Sequence, residues 1–230
     1  MKKVIFFFVS IISTTGHSQD FYELGAGFSS LRIWNIDAPV DPWQNLRFYN
    51  APHLSFNYYF DDENFVIGLA AGIAHETGNF DSEFNSIKQT RESSRNSLHY
   101  QVTGGVNIFR KKTSFLQLTA GARANRTYRY KHYITETYES GASIISRHES
   151  DDWRGPRYSA LFSVGYHKSL GSDLRKESSI IVRLAWDFVY QFPYEYGTLS
   201  GVRNEYGSFS TGPSFSVIWR IRGSKNSGLF

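Results

Sequence analysis

Oily and polar residues alternate with a period of two over long reaches of this chain, most clearly across residues 206–222. Phe209, Thr211, Pro213, Phe215, Val217, Trp219 and Ile221 share one face, while Ser208, Ser210, Gly212, Ser214, Ser216, Ile218 and Arg220 share the other. Successive side chains of a strand point to opposite sides, so this is a strand lying between two different surroundings. Its backbone N–H and C=O groups need partners, which means that other strands must flank it. If the oily side meets lipid, the sheet must also close on itself, because hydrocarbon offers nothing to an open edge.

The same alternation predicts strands over residues 21–34, 51–60, 65–76, 97–109, from 114 onward, 157–168 and 178–192. In the first, Leu31 and Ile33 fall on the face set by Glu23, Gly25 and Gly27, which predicts a bulge near Ser29 and Ser30. The strand from Ser114 keeps alternating through Tyr128 and Tyr130, and a turn signal comes only at Ser140 and Gly141. That is well past the roughly 9–11 residues a membrane strand needs, so its hairpin is expected to project beyond a bilayer. The connections read as a loop over 35–50, a tight turn at 61–64, a long polar loop over 77–96, a basic turn at 110–113, a polar turn at 169–177 and a loop over 193–205. Long and short connections thus alternate, with both termini on the short side, as in bacterial outer-membrane barrels. The expected fold is all-β: a closed antiparallel up-and-down transmembrane β-barrel of about eight strands, occupying residues 19–222.

Alternation alone does not say which face is inside. A lipocalin-like soluble ligand carrier would bury the oily face and wet the polar one. Here the polar face is mostly Gly, Ser, Thr, Ala, Asn and Gln rather than the Lys and Glu of a water-facing surface, which suits a crowded interior. Tyr58, Phe60, Tyr158, Tyr166, Phe188, Tyr190 and Trp219 lie near strand ends on the oily face, where interfacial aromatic belts belong. Fifteen Tyr and nineteen Phe are consistent with such girdles.

Residues 1–18 carry Lys2 and Lys3, an apolar run over 4–12 and a small-residue end, the layout of a secretory signal peptide cleaved near Ser18. Export through the general secretory pathway to the outer membrane is therefore expected. The chain has no cysteine, so neither a disulfide framework nor a lipid-modified cysteine is expected. Without Lys2 and Lys3, 23 of the 25 basic residues remain against 21 acidic ones, and nothing calls for nucleic acid.

With strands and turns placed, the chain resembles a small outer-membrane barrel of the OmpA/OmpX type, and its aromatic-rich strands are similar to the PorT-like barrels of the Bacteroidota. Its last strand also looks like the assembly signal read by the barrel-insertion machinery: Ser210, then Gly212, then Phe215 and Val217. The resemblance implies outer-membrane lipid and that machinery as partners. Pro213 departs from the pattern by removing a ladder hydrogen bond, and residues 223–230 continue as a short tail ending in Phe230.

Barrels of this size have interiors filled by side chains. Glu23, Arg123, Arg183, Asp187 and Arg220 are expected to form a polar network in the lumen, either satisfying one another or lining a gated path. His53 and Ser55 lie two apart on one strand face, and a His beside a Ser can activate a hydroxyl for acyl transfer. Some small barrels are lipid A-modifying acyl hydrolases, but their motif puts Asn directly after the Ser, whereas Phe56 separates Ser55 from Asn57. Neither metal-ligand spacing nor a phosphate-binding loop is present, and no cofactor is expected. Tyr128, Tyr130, Tyr133 and Tyr138, mixed with basic residues on the projecting hairpin, form a candidate surface for a protein partner, or a solvated cover for the barrel mouth. Weaker candidates are Trp43, Arg47, Phe48 and Tyr49 in the first loop and Tyr194, Tyr196 and Arg203 in the last. The expected role is that of a non-enzymatic structural or interaction component of the cell envelope.

Overall fold

The computed structural model describes residues 21–35, 46–60, 64–84, 87–151, 155–171, 174, 178–198, 201–205 and 207–222. The signal segment, the tail after Arg222 and Trp43 lie outside these residues. Eleven strands follow in order: β1 Phe21–Asn35, β2 Leu46–Phe60, β3 Phe65–Phe84, β4 Ile87–Lys111, β5 Ser114–Thr137, β6 Ser143–Ser150, β7 Pro156–Ser169, β8 Ser178–Gln191, β9 Tyr194–Thr198, β10 Gly201–Glu205 and β11 Ser208–Arg222.

Eight of them pair antiparallel in a ring, β1-β2-β3-β4-β5-β7-β8-β11 and back to β1. The expected closed up-and-down barrel is thus the observed fold. β6 lies outside the ring and pairs with the upper part of β5, from Tyr130↔Ser150 to Thr137↔Ser143. The hairpin turns at Gly141, whose φ of 80° is open to glycine without a Cβ clash.

Four sequence expectations change. Residues 77–96 are not a loop: β3 and β4 stay paired up to Phe84↔Ile87, and β4 and β5 up to Lys88↔Thr137. Polar composition hid the strand there, because a sheet wet on both faces has no reason to alternate. Arg47, Phe48 and Tyr49 belong to β2, not to the first loop, and the last loop contains the small hairpin β9–β10 that carries Tyr194, Tyr196 and Arg203. Finally, β1 has no bulge. Its register holds on both sides, from Phe21↔Arg222 to Asn35↔Ser208 and from Phe21↔Tyr59 to Ile33↔Arg47. Leu31 and Ile33 keep the inward phase because the barrel interior is apolar at that end.

Two buried apolar clusters explain this. One, near the termini, gathers Phe21, Tyr59, Val66, Phe115, Ile181 and Ile218 with Leu174 from the β7–β8 connection. The other, toward the long connections, gathers Leu31, Ile33, Tyr49, Ala51, Ala74, Leu161 and Val189. Polar side chains fill the barrel between them.

The outside is oily. Leu54 is 69% exposed and Leu69 45%, along with Ile73, Val102, Leu184, Phe215 and Val217. The lipocalin arrangement is therefore overturned, since its oily face would be the buried one. Aromatic rings cluster at both rims of this surface. Tyr22, Tyr58, Phe60 and Phe65 stack in sequence near the short turns, and Phe188 packs against Phe162 and Phe209 at the other end.

Candidate functional site

The five residues expected to meet in the lumen all line it, but they form separate groups along the axis. Lowest is Arg220, fully buried, with Nε donating to Glu23 Oε1 at 2.9 Å and Nη2 2.7 Å from the same oxygen. Tyr59 Oη and Asn57 Nδ2 donate to the other Glu23 oxygen at 2.8 and 3.1 Å. The rings of Tyr59, Phe115 and Phe21 surround the guanidinium at 4.6, 5.1 and 5.4 Å. A charge so enclosed is tolerated only because a carboxylate and aromatic faces replace the lost water.

At mid-depth Asp187 takes a hydrogen bond from Ser163 Oγ at 2.6 Å and another from Ser29 Oγ at 3.4 Å. Arg183 reaches the same serine, with Nη2 donating to Ser163 Oγ at 2.8 Å, so the hydroxyl relays between cation and carboxylate. Arg123 stands apart. It donates through Nη2 to Gln101 at 3.0 Å and lies over the Tyr49 ring at 5.3 Å. The Arg183–Asp187 group and Arg123 border a cavity of about 60 Å³, room for on the order of four waters.

A third group, at the mouth, escaped the sequence reading. Glu76 is buried and forms ion pairs with Arg47, with Arg157 at 3.4 Å and with Arg95 at 3.9 Å. The inward parity of Gly68, Ala70, Gly72 and Ala74 pointed Glu76 into the lumen. Its arginine partners were hidden because Arg47 and Arg95 fell in segments read as loops.

His53 and Ser55 line the mid-depth cavity and so face the lumen, not the lipid. His53 Nδ1 lies 3.2 Å from the Ala51 carbonyl, and its Nε2 is directed at Gly27 rather than at Ser55. Among the described residues no group of three His, Cys, Asp or Glu has metal-binding geometry.

The four tyrosines of the hairpin do not share a face. β5 carries one extra residue, Tyr128, opposite the step from Ser97 to Asn96, and the phase of β5 inverts there. Tyr130 consequently turns to the lumen side, with its ring 5.5 Å from the Arg95 guanidinium. Tyr133 is on the opposite side, donating to Glu149 at 2.5 Å beneath the Arg147 guanidinium. Tyr138 sits at the turn and donates to Glu136 at 3.3 Å. In the last strand Ser210 and Gly212 face inward, while Phe215 and Val217 are 45% exposed on the outside.

No protein-family model matches this chain, and no curated protein matches it in sequence. Among solved structures it is similar to Ail, the attachment invasion locus protein of Yersinia pestis, at 11% identity and TM-score 0.42, over 89% of this chain and 100% of that one. It is also similar to the outer membrane protease OmpT of Escherichia coli, at 9% identity and TM-score 0.48, over 91% and 98%. The outer membrane protein OprG of Pseudomonas aeruginosa gives 8% identity and TM-score 0.40, over 91% and 98%. With TM-scores below 0.5, the fold assignment rests on the closed ring of pairings described above and not on these likenesses.

Proposed function

We propose that this protein is an outer-membrane β-barrel that acts without catalysis, as an interaction component of the cell envelope. The observation that carries the reading is the division of surfaces. A closed ring of strands presents aliphatic and aromatic side chains outward, and its interior is packed with paired charges and apolar caps. Lipid is the solvent that fits such an outside. The end that carries Phe21 and Arg222 then faces the periplasm, the end where β3, β4 and β5 project faces the cell exterior, and the leader over residues 1–18 supplies export through the general secretory pathway. The inward direction of His53 and Ser55 speaks against a lipid hydrolase, whose nucleophile must reach a lipid ester. The aromatic-rich strands support kinship with the PorT-like barrels of the Bacteroidota.

The contact surface in this reading is the sheet made by the upper parts of β3, β4 and β5 with β6. β5 is paired on both sides, so its tyrosines offer no open edge. β6 does: among the described residues it pairs only with β5, and it exposes Ile144 and Ile145. A free strand edge beside apolar side chains suits a partner that adds a strand of its own. The test is a pull-down from detergent-solubilised outer membrane with the full chain and with an Ile144→Lys/Ile145→Lys variant. A stoichiometric partner is expected for the first and not for the second. A wild-type chain that brings down nothing in stoichiometric amount sinks the contact role. Loss of the heat-dependent mobility shift on an unboiled gel sinks the barrel itself.

A further inference from the structure

One charge inside the wall has no opposite charge beside it. Arg220 has Glu23, and Arg183 lies 3.9 Å from Asp187, whose oxygens also take the Ser163 and Ser29 hydroxyls. Arg123 is 4% exposed, yet among the described residues no carboxylate pairs with it. Its acceptor is an amide: Nε and Nη2 donate to the same Gln101 oxygen at 3.3 and 3.0 Å, and the Tyr49 ring lies 5.3 Å away. A guanidinium keeps its charge at any pH at which the chain is folded. Taking such an ion out of water costs free energy that an amide oxygen and an aromatic face return only in part.

The space beside Arg123 is made by the sequence. β5 sets Arg123 opposite Gln101 of β4, and the next inward residues, on β3, are only Gly68 and Ala70, paired with Thr103 and Gln101. Side chains this short leave open the mid-depth cavity, which Arg123 and Gln101 line together with Arg183, Ser163 and Asp187. It lies between the two apolar clusters, to which its lining residues Val66 and Leu161 belong, so bulk water does not screen the charge. Asp187 is already answered by Arg183 and two hydroxyls. The charge left over in the cavity is that of Arg123.

The geometry points to an anion site: one small monovalent anion, of the chloride type, sits in this cavity as the counter-ion of Arg123. A single charge follows from the single uncompensated cation, and small size follows from a volume of about 60 Å³. Charge-assisted hydrogen bonds from a guanidinium are the contacts such an ion takes. Because apolar clusters close the lumen on both sides, the ion is held within the barrel and not passed through it.

The inference needs the closed barrel and not its role in the envelope. Wild type, Gln101→Glu and Arg123→Gln are refolded in detergent micelles and unfolded with urea, in sodium chloride or in sodium gluconate of equal ionic strength. An ion bound only by the folded chain stabilises it by mass action. At saturating chloride each tenfold rise should therefore raise the wild-type ratio of folded to unfolded chain about tenfold, and gluconate, too bulky for the cavity, should not. Gln101→Glu puts a carboxylate where Arg123 already binds, and Arg123→Gln removes the cation, so both should unfold at the same urea concentration in either salt. Crystals of wild type refolded in sodium bromide should show the anomalous signal of one bromide beside Arg123, which requires no variant to fold. A wild type indifferent to chloride, a chloride dependence that survives in Gln101→Glu, or no bromide at Arg123 overturns the site. Heat-dependent mobility is read on the same samples. A wild type that shifts but ignores chloride removes the anion and leaves the barrel, whereas one that does not shift removes both.

Discussion

Strands β3, β4 and β5 pass through two surroundings without losing their partners. In the barrel wall their side chains divide sharply: Leu69, Val102 and Ala122 point out, while Gly68, Thr103 and Arg123 point in. Higher up, in the projecting sheet, neither side is consistently apolar, and cross-strand contacts include those of Lys131 with Glu149 and Gln89 with Glu136. The backbone ladder is the same in both places. What differs is the solvent, and alternation therefore reports the solvent of a strand and not its existence. Where one side meets lipid and the other a packed interior, the pattern is imposed. Where water lies on both sides, pairing alone maintains the strand.

The strongest test of this contrast lies inside the wall. Glu23→Ala leaves the Arg220 charge enclosed by three rings without its carboxylate, and breaking a buried pair in this way costs about 3–5 kcal/mol. Urea unfolding in micelles should show that loss, and an unchanged midpoint would mean that the wall interior is far wetter than its packing indicates. Next comes a matched pair of substitutions. Leu69 is 45% exposed on the wall and Ile145 is 69% exposed on the projecting sheet, so neither is part of a packed core. Leu69→Arg near the middle of the lipid band should cost about 2–4 kcal/mol, whereas Ile145→Arg in water should stay within about 0.5 kcal/mol. Equal costs, measured by the same unfolding curves, would erase the distinction between the two solvents.

The smallest effect concerns the projecting sheet itself. The Tyr133 hydroxyl and the Arg147 guanidinium, in that order, hold the Glu149 carboxyl down at about 2. A depressed carboxylate supports the folded hairpin at pH values above its ordinary pKa, and that support is lost as the pH falls toward 2. Carboxyl NMR should find the low midpoint, and Tyr133→Phe should move it upward. Hydrogen exchange along β6 should quicken on acidification while the wall strands stay protected. A wild-type midpoint in the usual carboxylate range would show that the Tyr133 contact does not form in solution.

The wall was legible in the sequence because its alternation is forced, and Leu54, Phe56 and Tyr58 against His53, Ser55 and Asn57 could hardly be read another way. Membership of the lumen was legible for the same reason, and all five expected residues line it. Their grouping was not. Which carboxylate meets which arginine depends on the stagger between strands, and that is how Glu76 acquired Arg47, Arg95 and Arg157 from three different strands. Leu31 and Ile33 misled for a physical reason: an apolar inward residue at the mouth imitates a change of phase. The inversion at Tyr128 was equally invisible: the sequence alternation runs on through Tyr128 and Tyr130, and only the pairing with β4 leaves Tyr128 over and turns Tyr130 inward.

β1 and β11 are the first and last strands of the ring, and they meet at its seam. Gly212 allows the Ser30 carbonyl to approach so closely that an added Cβ would lie 2.2 Å from it, and the pairing lapses opposite Pro213. The N-terminal stave therefore waits for the C-terminal one before either is sealed. No shortened chain can finish the circle, and any intermediate would offer raw peptide groups to hydrocarbon. Sealing the cylinder therefore falls to the fifteen residues of β11, which give β1 and β8 the backbone partners that hydrocarbon cannot supply.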